Sequence, residues 1–374
     1  MRTVTKRAAV SAAALMLSAG MLTACSNGSS NPKSDDTGSG TGAANSAAKI
    51  GLLLPDTVTP RYATADYPYF KDEVAAKCPK CEVLYQNAAG SAATQQQQAQ
   101  AMMTQGVKVL VLDPFDGEAA AAIVTQAKAK NIPVVSYDRL IDSGDLSAYI
   151  SFDNEKVGKL QAQALVDQMK KLGQPDTAGI LEINGSPTDN NASQFKKGAQ
   201  SVLTGTSYKV LGEYDTPGWD PAKAQQWASG QISKVGAKNV QGVYAANDDT
   251  GGAAIAALKA AGISKLPPVT GQDASLAGIQ RILAGEQYMT VYKAFKPEAS
   301  KAADMAVDLA NGTKPDLPAT ATTAKGASVP AELLDPVAVT TANIQDTVVK
   351  DGLYKVSDIC TAAYKAACDK AGIK

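Results

Sequence analysis

The 374-residue chain has no histidine, two tryptophans, five phenylalanines and no excess of either charge, with 36 basic and 36 acidic side chains. Each shortage removes a class of function. Without histidine, the commonest general acid–base group and the usual nitrogen ligand of zinc are missing. No stretch reads G-x-x-x-x-G-K, so there is no phosphate loop of that kind, and no cluster has metal-ligand spacing. The balanced charge gives no basic field for nucleic acid. Only one long apolar run occurs, residues 8–22, and it is too short for a spanning helix. Aromatics are 5% of the chain, so an aromatic outside a strand carries more information than usual.

What is present begins with export. Arg2, Lys6 and Arg7 precede the apolar run, which ends in LTAC at residues 22–25. This reads as a secretory leader, residues 1–24. LTAC resembles the lipobox of bacterial lipoproteins, which implies an acylated Cys25 and a chain held at the outer face of the cytoplasmic membrane; the plainer alternative is a leader with an incidental cysteine. Each buried acyl methylene contributes about 0.8 kcal/mol to such an anchor. Residues 26–48 are Gly, Ser, Asn and Ala with little to pack, a tether spanning roughly 25–30 Å. Its Gly38, Gly40 and Gly42 neither follow a strand nor open a helix, so they are no nucleotide fingerprint. The leader takes three basic residues and no acids, leaving a slightly acidic mature chain. Four further cysteines in an exported chain point to disulfides. The local pairs Cys78–Cys81 and Cys360–Cys368 are expected if geometry permits. A redox role for CPKC (78–81) is disfavoured by its place between a helix and a strand.

From residue 49 one pattern repeats. Short apolar runs end on a polar group and lead into a helical stretch: KIGLLLPD (49–56), VKVLVLDP (107–114), IPVVSYDR (132–139), AGILEINGS (178–186), QGVYAAND (241–248) and LPPVTGQD (266–273). Successive apolar residues mark strands buried on both faces, and alternation with helices marks parallel sheets. About 325 such residues suit two units better than one. The expected fold class is therefore α/β, two three-layer α/β/α domains with mostly parallel sheets. In such sheets ligands bind beyond the carboxyl ends of the strands. Asp56, Asp113 and Asp116 are read as turn or cap residues. The paired groups Asp138–Arg139 and Asn247–Asp248, one in each half, suggest a shared polar cleft. Arg and Asp grip vicinal hydroxyls well, Asn247 can donate and accept, and Lys293 adds a point donor. Both signs line the site, so the partner is expected to be uncharged. A sugar fits, and Tyr62 and Trp219, both expected in loops, would meet its C–H faces.

The motifs SYDRLI (136–141), YISFDNEKVGKLQAQALVD (149–167), GSPTDNNA (185–192), GW (218–219), ANDDTGGAAI (246–255), GQDASLAGIQRILAG (271–285), MTVYK (289–293) and DTVVKDG (346–352) occur in family order. Over about residues 49–354 the chain resembles the D-xylose-binding proteins of bacterial ABC importers, within the type I periplasmic sugar-binding family. The resemblance implies two lobes joined by three crossing segments: 49–152 with about 294–329, and 153–293 with about 330–374. It implies a monosaccharide, D-xylose favoured, held by Arg61, Tyr62, Asp138, Arg139, Asp189, Asn191 (or Asn190), Trp219, Asn247, Asp273 and Lys293. Asp153 and Asn154 would lie near the hinge. It also implies a monomer that meets an importer permease and the membrane only through its anchor, with no cofactor and no chemistry. The family commonly has tryptophan where this chain has Tyr62, which leaves the choice of sugar open. The tail, 358–374, extends past the usual pattern and reads as a disulfide-clipped helix. The rivals are a sugar enzyme using Asp, Lys or Arg, a sugar-sensing receptor domain, and a relative tuned to ribose, arabinose or glucose.

Overall fold

The structure is a computed structural model that describes residues 47–374. Cys25, the leader and nearly all of the tether lie outside the described residues. The chain builds a first lobe with β1 (Lys49–Leu54), α1 (Tyr67–Lys77), β2 (Glu82–Asn87), α2 (Ala92–Thr104), β3 (Val109–Leu112), α3 (Ala121–Ala129), β4 (Val134–Tyr137) and β5 (Ala148–Phe152). It then forms a second with α4 (Asn154–Lys171), β6 (Gly179–Asn184), α5 (Asn190–Leu203), β7 (Lys209–Asp215), α6 (Pro221–Val235), β8 (Val240–Ala245), α7 (Asp248–Ala260), α8 (Leu276–Leu283) and β9 (Thr290–Tyr292). It returns to the first through α9 (Phe295–Ala310), β10 (Ala319–Thr322) and β11 (Ser328–Leu334). It ends on the second with β12 (Val337–Val339), α10 (Val356–Ile359) and α11 (Lys365–Ala371).

The first sheet has the order β10-β11-β5-β4-β3-β1-β2 and is parallel except at the β10–β11 edge. Its strands are apolar on both faces because both are covered. Ile50, Leu52, Leu54, Val109 and Val111 pack with Phe70 and Val74 of α1 and the alanines of α9. Leu53, Leu110 and Leu112 point the other way, against α2 and α3. The second lobe has a parallel β7-β6-β8 sheet and an antiparallel β9–β12 pair. Helices α4 and α5 cover one face of the parallel sheet, and α6 and α7 the other.

Local chemistry explains where the strands depart from expectation. The run 266–273 makes only a single bridge, Val243 to Val269, because Pro267 and Pro268 remove two ladder donors. Strands β2 and β7 have no continuous apolar run to mark them. Both are sheet edges, half exposed, and carry polar residues such as Glu82, Gln86, Lys209 and Glu213.

Three segments join the lobes. Asp153 caps α4 at the first crossing, and its N–H donates to Leu334 O of the third at 2.9 Å, so those two run side by side. Asn154 bonds Ser151 at the same place. The third crossing falls after Leu334 rather than near residue 329, because β11 completes the first sheet by pairing with β5. Both expected disulfides form, Cys78–Cys81 and Cys360–Cys368, with Cα separations of 5.3 and 5.9 Å. The tail is two short helices, not one, packed on α8 through Ile279, Ile282, Ile359, Cys368 and Ile373. Among the described residues no helix is long and apolar enough to cross a membrane.

Candidate functional site

The carboxyl ends of both sheets face one cavity of about 300 Å³. All ten side chains expected there line it: Arg61, Tyr62, Asp138, Arg139, Asp189, Asn191, Trp219, Asn247, Asp273 and Lys293. Asn190 does not, because as the first residue of α5 it turns away from the cavity that Asn191 reaches. Thr59, Phe195 and Gln272 complete the lining. None of these three was expected, although Gln272 stands directly before Asp273 in the GQD run.

The first-lobe wall is a charge network. A π turn over Tyr62–Asp66 runs into α1 and places Arg61 and Tyr62; Tyr62 is thus helical rather than in a loop. Arg61 donates from Nε and Nη2 to Asp66 at 2.9 and 2.6 Å, from Nη2 to Glu298 at 2.7 Å, and from Nη1 to Asp138 at 2.8 Å. Its guanidinium lies over the Phe295 ring, 4.0 Å from the centroid. The Tyr137 hydroxyl also donates to Asp66. Behind Arg139 stand two carboxylates expected only as turn residues. Asp56 accepts the N–H groups of Val58 and Thr59 as a turn residue should, but its other oxygen lies 3.5 Å from Arg139 Nη2. Asp113 Oδ1 lies 3.7 Å from Arg139 Nε. Asp116 is a plain cap for Glu118 and Ala119. The hydroxyl that distinguishes Tyr62 from a tryptophan accepts from Arg139 Nη2 at 2.9 Å, so it is used within its own lobe.

The second-lobe wall is built from helix caps. Asp189 caps α5 by accepting from Asn191 N at 2.8 Å, also accepts from Trp219 Nε1 at 2.9 Å, and forms an ion pair with Arg139 Nε at 3.0 Å. Trp219 ends a short 3-10 turn, not a loop, and a Cβ on Gly185 would come within 2.1 Å of its ring, so glycine is required there. Asn247 caps α7, with its oxygen accepting from Thr250 N and Oγ1. That leaves its NH₂ as the group on offer, rather than both roles. Asp273 and Lys293 flank the second crossing 3.5 Å apart, and Lys293 Nζ is 3.2 Å from Asp138.

Asp138 joins the two walls. It meets Arg61 and Lys293 through Oδ2, and Asn191 Nδ2 through Oδ1 and its carbonyl, both at 3.0 Å. Asp138, Trp219 and Asp273 all have positive φ, at 53°, 56° and 86°. Such backbone is costly for non-glycine residues and persists where the surroundings enforce it. Burial works to raise the Asp138 carboxyl, but Lys293, Arg61 and Arg139 outweigh it and hold the group well below the usual range. Burial raises Asp189, Asp113 and Glu298 against the pull of the arginines. Asn191 Oδ1, Gln272 Oε1 and Asp273 Oδ1 are buried with no hydrogen-bond partner among the described residues. The cavity thus presents paired donors, unmet acceptors and two aromatic rings. Among the described residues no group of acids or cysteines could hold a metal ion.

A family model described as periplasmic binding protein domain matches residues 50–314. The chain is 40% identical over 315 residues to the D-xylose-binding periplasmic protein of Escherichia coli K12, covering 83% of this chain and 92% of that protein. It is 36% identical over 282 residues to a multiple sugar-binding periplasmic receptor of Rhizobium radiobacter, covering 70% and 79%. A carbohydrate transporter solute-binding protein from Chloroflexus aurantiacus, solved with D-glucose, superposes with a TM-score of 0.76 at 29% identity, covering 83% and 98%.

Proposed function

The chain belongs to the periplasmic binding protein family, in the type I branch that binds sugars for ABC importers, and from that premise we propose that it captures D-xylose between its lobes. It is an exported solute-binding protein, not an enzyme, as its homologues are. We also propose that Cys25 anchors it by acylation, that it works as a monomer, and that its closed form delivers the sugar to a membrane permease.

The observation that carries this reading is a set of buried acceptors without hydrogen-bond donors in a cavity whose donors are already in place. Asn191 Oδ1 and Gln272 Oε1 need hydroxyl donors, and Asp273 Oδ1 has only its 3.5 Å ion pair with Lys293. Closing over nothing would leave the two amide oxygens unpaired, at about 1–3 kcal/mol apiece. A sugar meets them and shifts the hinge equilibrium toward closure. The lobes already touch through Arg139–Asp189 and Asp138–Asn191, and Gly117 N–H donates to Thr188 O at 3.1 Å. Ligand contacts therefore add to a seam that is formed as well. A missing hydroxyl leaves a buried partner unmet, so stereochemistry decides binding.

Titration calorimetry with D-xylose, D-ribose, L-arabinose and D-glucose tests it, using residues 47–374, which lie within one compact unit. Tight binding of D-xylose above the others is expected. Preference for another sugar keeps the capture mechanism and moves the specificity; no binding to any of the four refutes the reading.

A further inference from the structure

A second cavity of about 350 Å³ adjoins the first, and Thr59, Arg61, Asn247, Gln272 and Asp273 line both. Its far wall is apolar: Pro60 and Ala65 from the first lobe, Phe295 from α9, and Leu353 and Tyr354 from the segment leading into the tail. The polar groups on that side, besides the shared ones, are Thr64, Asp248, Asp249 and Ser275. Building on the sugar-capture reading, we propose that this compartment is a subsite for an apolar group carried by the sugar, so that the protein also takes alkyl and aryl glycosides.

Three features carry the inference. Thr59, Arg61, Asn247, Gln272 and Asp273 line both cavities, so these side chains are the partition a substituent leaving the sugar ring on the Gln272 side would pass between. Gln272 sits at the junction, 2% exposed, with Oε1 unpartnered, and can accept from the ligand there. Pro60, Ala65, Phe295 and Leu353 would leave most hydroxyls of a second sugar ring unmet, whereas an alkyl or phenyl group loses nothing by leaving water. The proposal also gives the tail a task. Leu353 and Tyr354 pack among Ile359, Tyr364 and the Cys360–Cys368 region, which brace the wall from behind.

The test is calorimetric, on the full mature chain. The probes are D-xylose and D-glucose, each compared with its methyl and phenyl glycosides in both anomeric forms. For the sugar that binds, one anomer of the glycosides should bind within about tenfold of the free sugar, or tighter. Leu353→Trp fills the compartment from the half-buried segment and should weaken that glycoside by at least tenfold while leaving the free sugar within about twofold. Ala65→Leu fills it from the other lobe and guards against a fold defect in the first variant. If the free sugar binds and every glycoside is weaker by more than about a hundredfold, the subsite does not exist. Equal effects of Leu353→Trp and Ala65→Leu on sugar and glycoside also overturn it. If neither free sugar binds, the capture reading itself fails and takes the subsite with it.

Discussion

The two walls of the cavity solve one problem by different means. The first-lobe wall is held by ion pairs, with Arg61 shared among Asp66, Glu298 and Asp138, and Arg139 set among Tyr62, Asp56 and Asp113. The second-lobe wall is held by backbone: Asp189 and Asn247 are helix caps, and the turns at Trp219 and Asp273 sit at positive φ. Buried charges fix the direction of a guanidinium fork but demand that every partner stay in place. Caps stabilise more weakly and leave a side chain half committed. The first wall should therefore be brittle to substitution and the second tolerant, even where both face the same sugar.

The sharpest way to break that contrast is Arg61→Met. The methionine fills space but leaves Asp66 and Glu298 buried without their cation. Removing one partner of a buried pair costs about 3–5 kcal/mol. Urea unfolding of the ligand-free protein should show a loss of that size, and sugar binding should vanish with it. Asp138→Ala should behave similarly, because it strips Arg61 and Lys293 of a shared carboxylate and takes from Asn191 one of the two acceptors that join the walls, leaving only the backbone carbonyl. A near-neutral result for Arg61→Met would mean that the Glu298 carboxyl behind it, which burial raises, is already protonated.

The next test separates the walls by pH. Asp248, beside Asn247, accepts Ser275 N–H at 2.7 Å and Gln287 Nε2 at 2.6 Å and so holds the turn that carries Asp273. Burial pushes its carboxyl up to about 7, against the pull of Arg281. A raised carboxyl binds its proton more tightly in the folded state, so its share of stability is full below about pH 4 and is lost as pH rises to about 7. Asp138 is depressed, so its share is present above about pH 4 and lost as pH falls below it. Thermal unfolding across that range should show Asp248→Asn declining less steeply between pH 4 and 7 than the unaltered protein. A residual slope from Glu298 and Asp113, whose carboxyls burial also raises, should remain. Identical slopes would place the Asp248 proton elsewhere.

How far each wall was legible follows from its chemistry. The apolar runs of β1, β3, β4, β6 and β8 announced a doubly covered parallel sheet, and a strand-end rule then pointed to Asp138, Arg139 and Asn247. The edge strands β2 and β7 carried no such run. The roles of Asp56 and Asp113 were hidden because a turn-forming aspartate looks the same whether or not an arginine packs behind it. Glu298 did leave a trace: it shares the buried stripe of α9 with Phe295, Ala299 and Ala302, where an acid has no reason to be without a buried cation. Asp66 left none, since a π turn has no period to break.

A smaller effect is expected at the tail. Replacing Cys360 and Cys368 by serine opens a short loop, worth about 2.5 kcal/mol. The bridge lies behind the second-lobe wall, so the free sugar should bind as before. A loss of free-sugar affinity in calorimetry would show that the tail supports the primary cavity and not only the ground beside it.

The mildest substitution is the most discriminating. Asn247→Ala removes the cap of α7, about 1 kcal/mol of stability, a fraction of the Arg61 cost. It also removes the NH₂ offered to the cavity, which should weaken the sugar by roughly ten- to a hundredfold. Asn247→Asp separates the two losses. Aspartate caps as well as asparagine, so the Thr250 contacts and the stability should survive. Its second oxygen would face the sugar as an acceptor where a donor stood. Stable protein with weakened binding would show that the second-lobe wall works through a half-committed cap. Unchanged binding would mean that the Asn247 amide is spent inside the protein, leaving Asn191, Gln272 and Asp273 to do the recognising on that side.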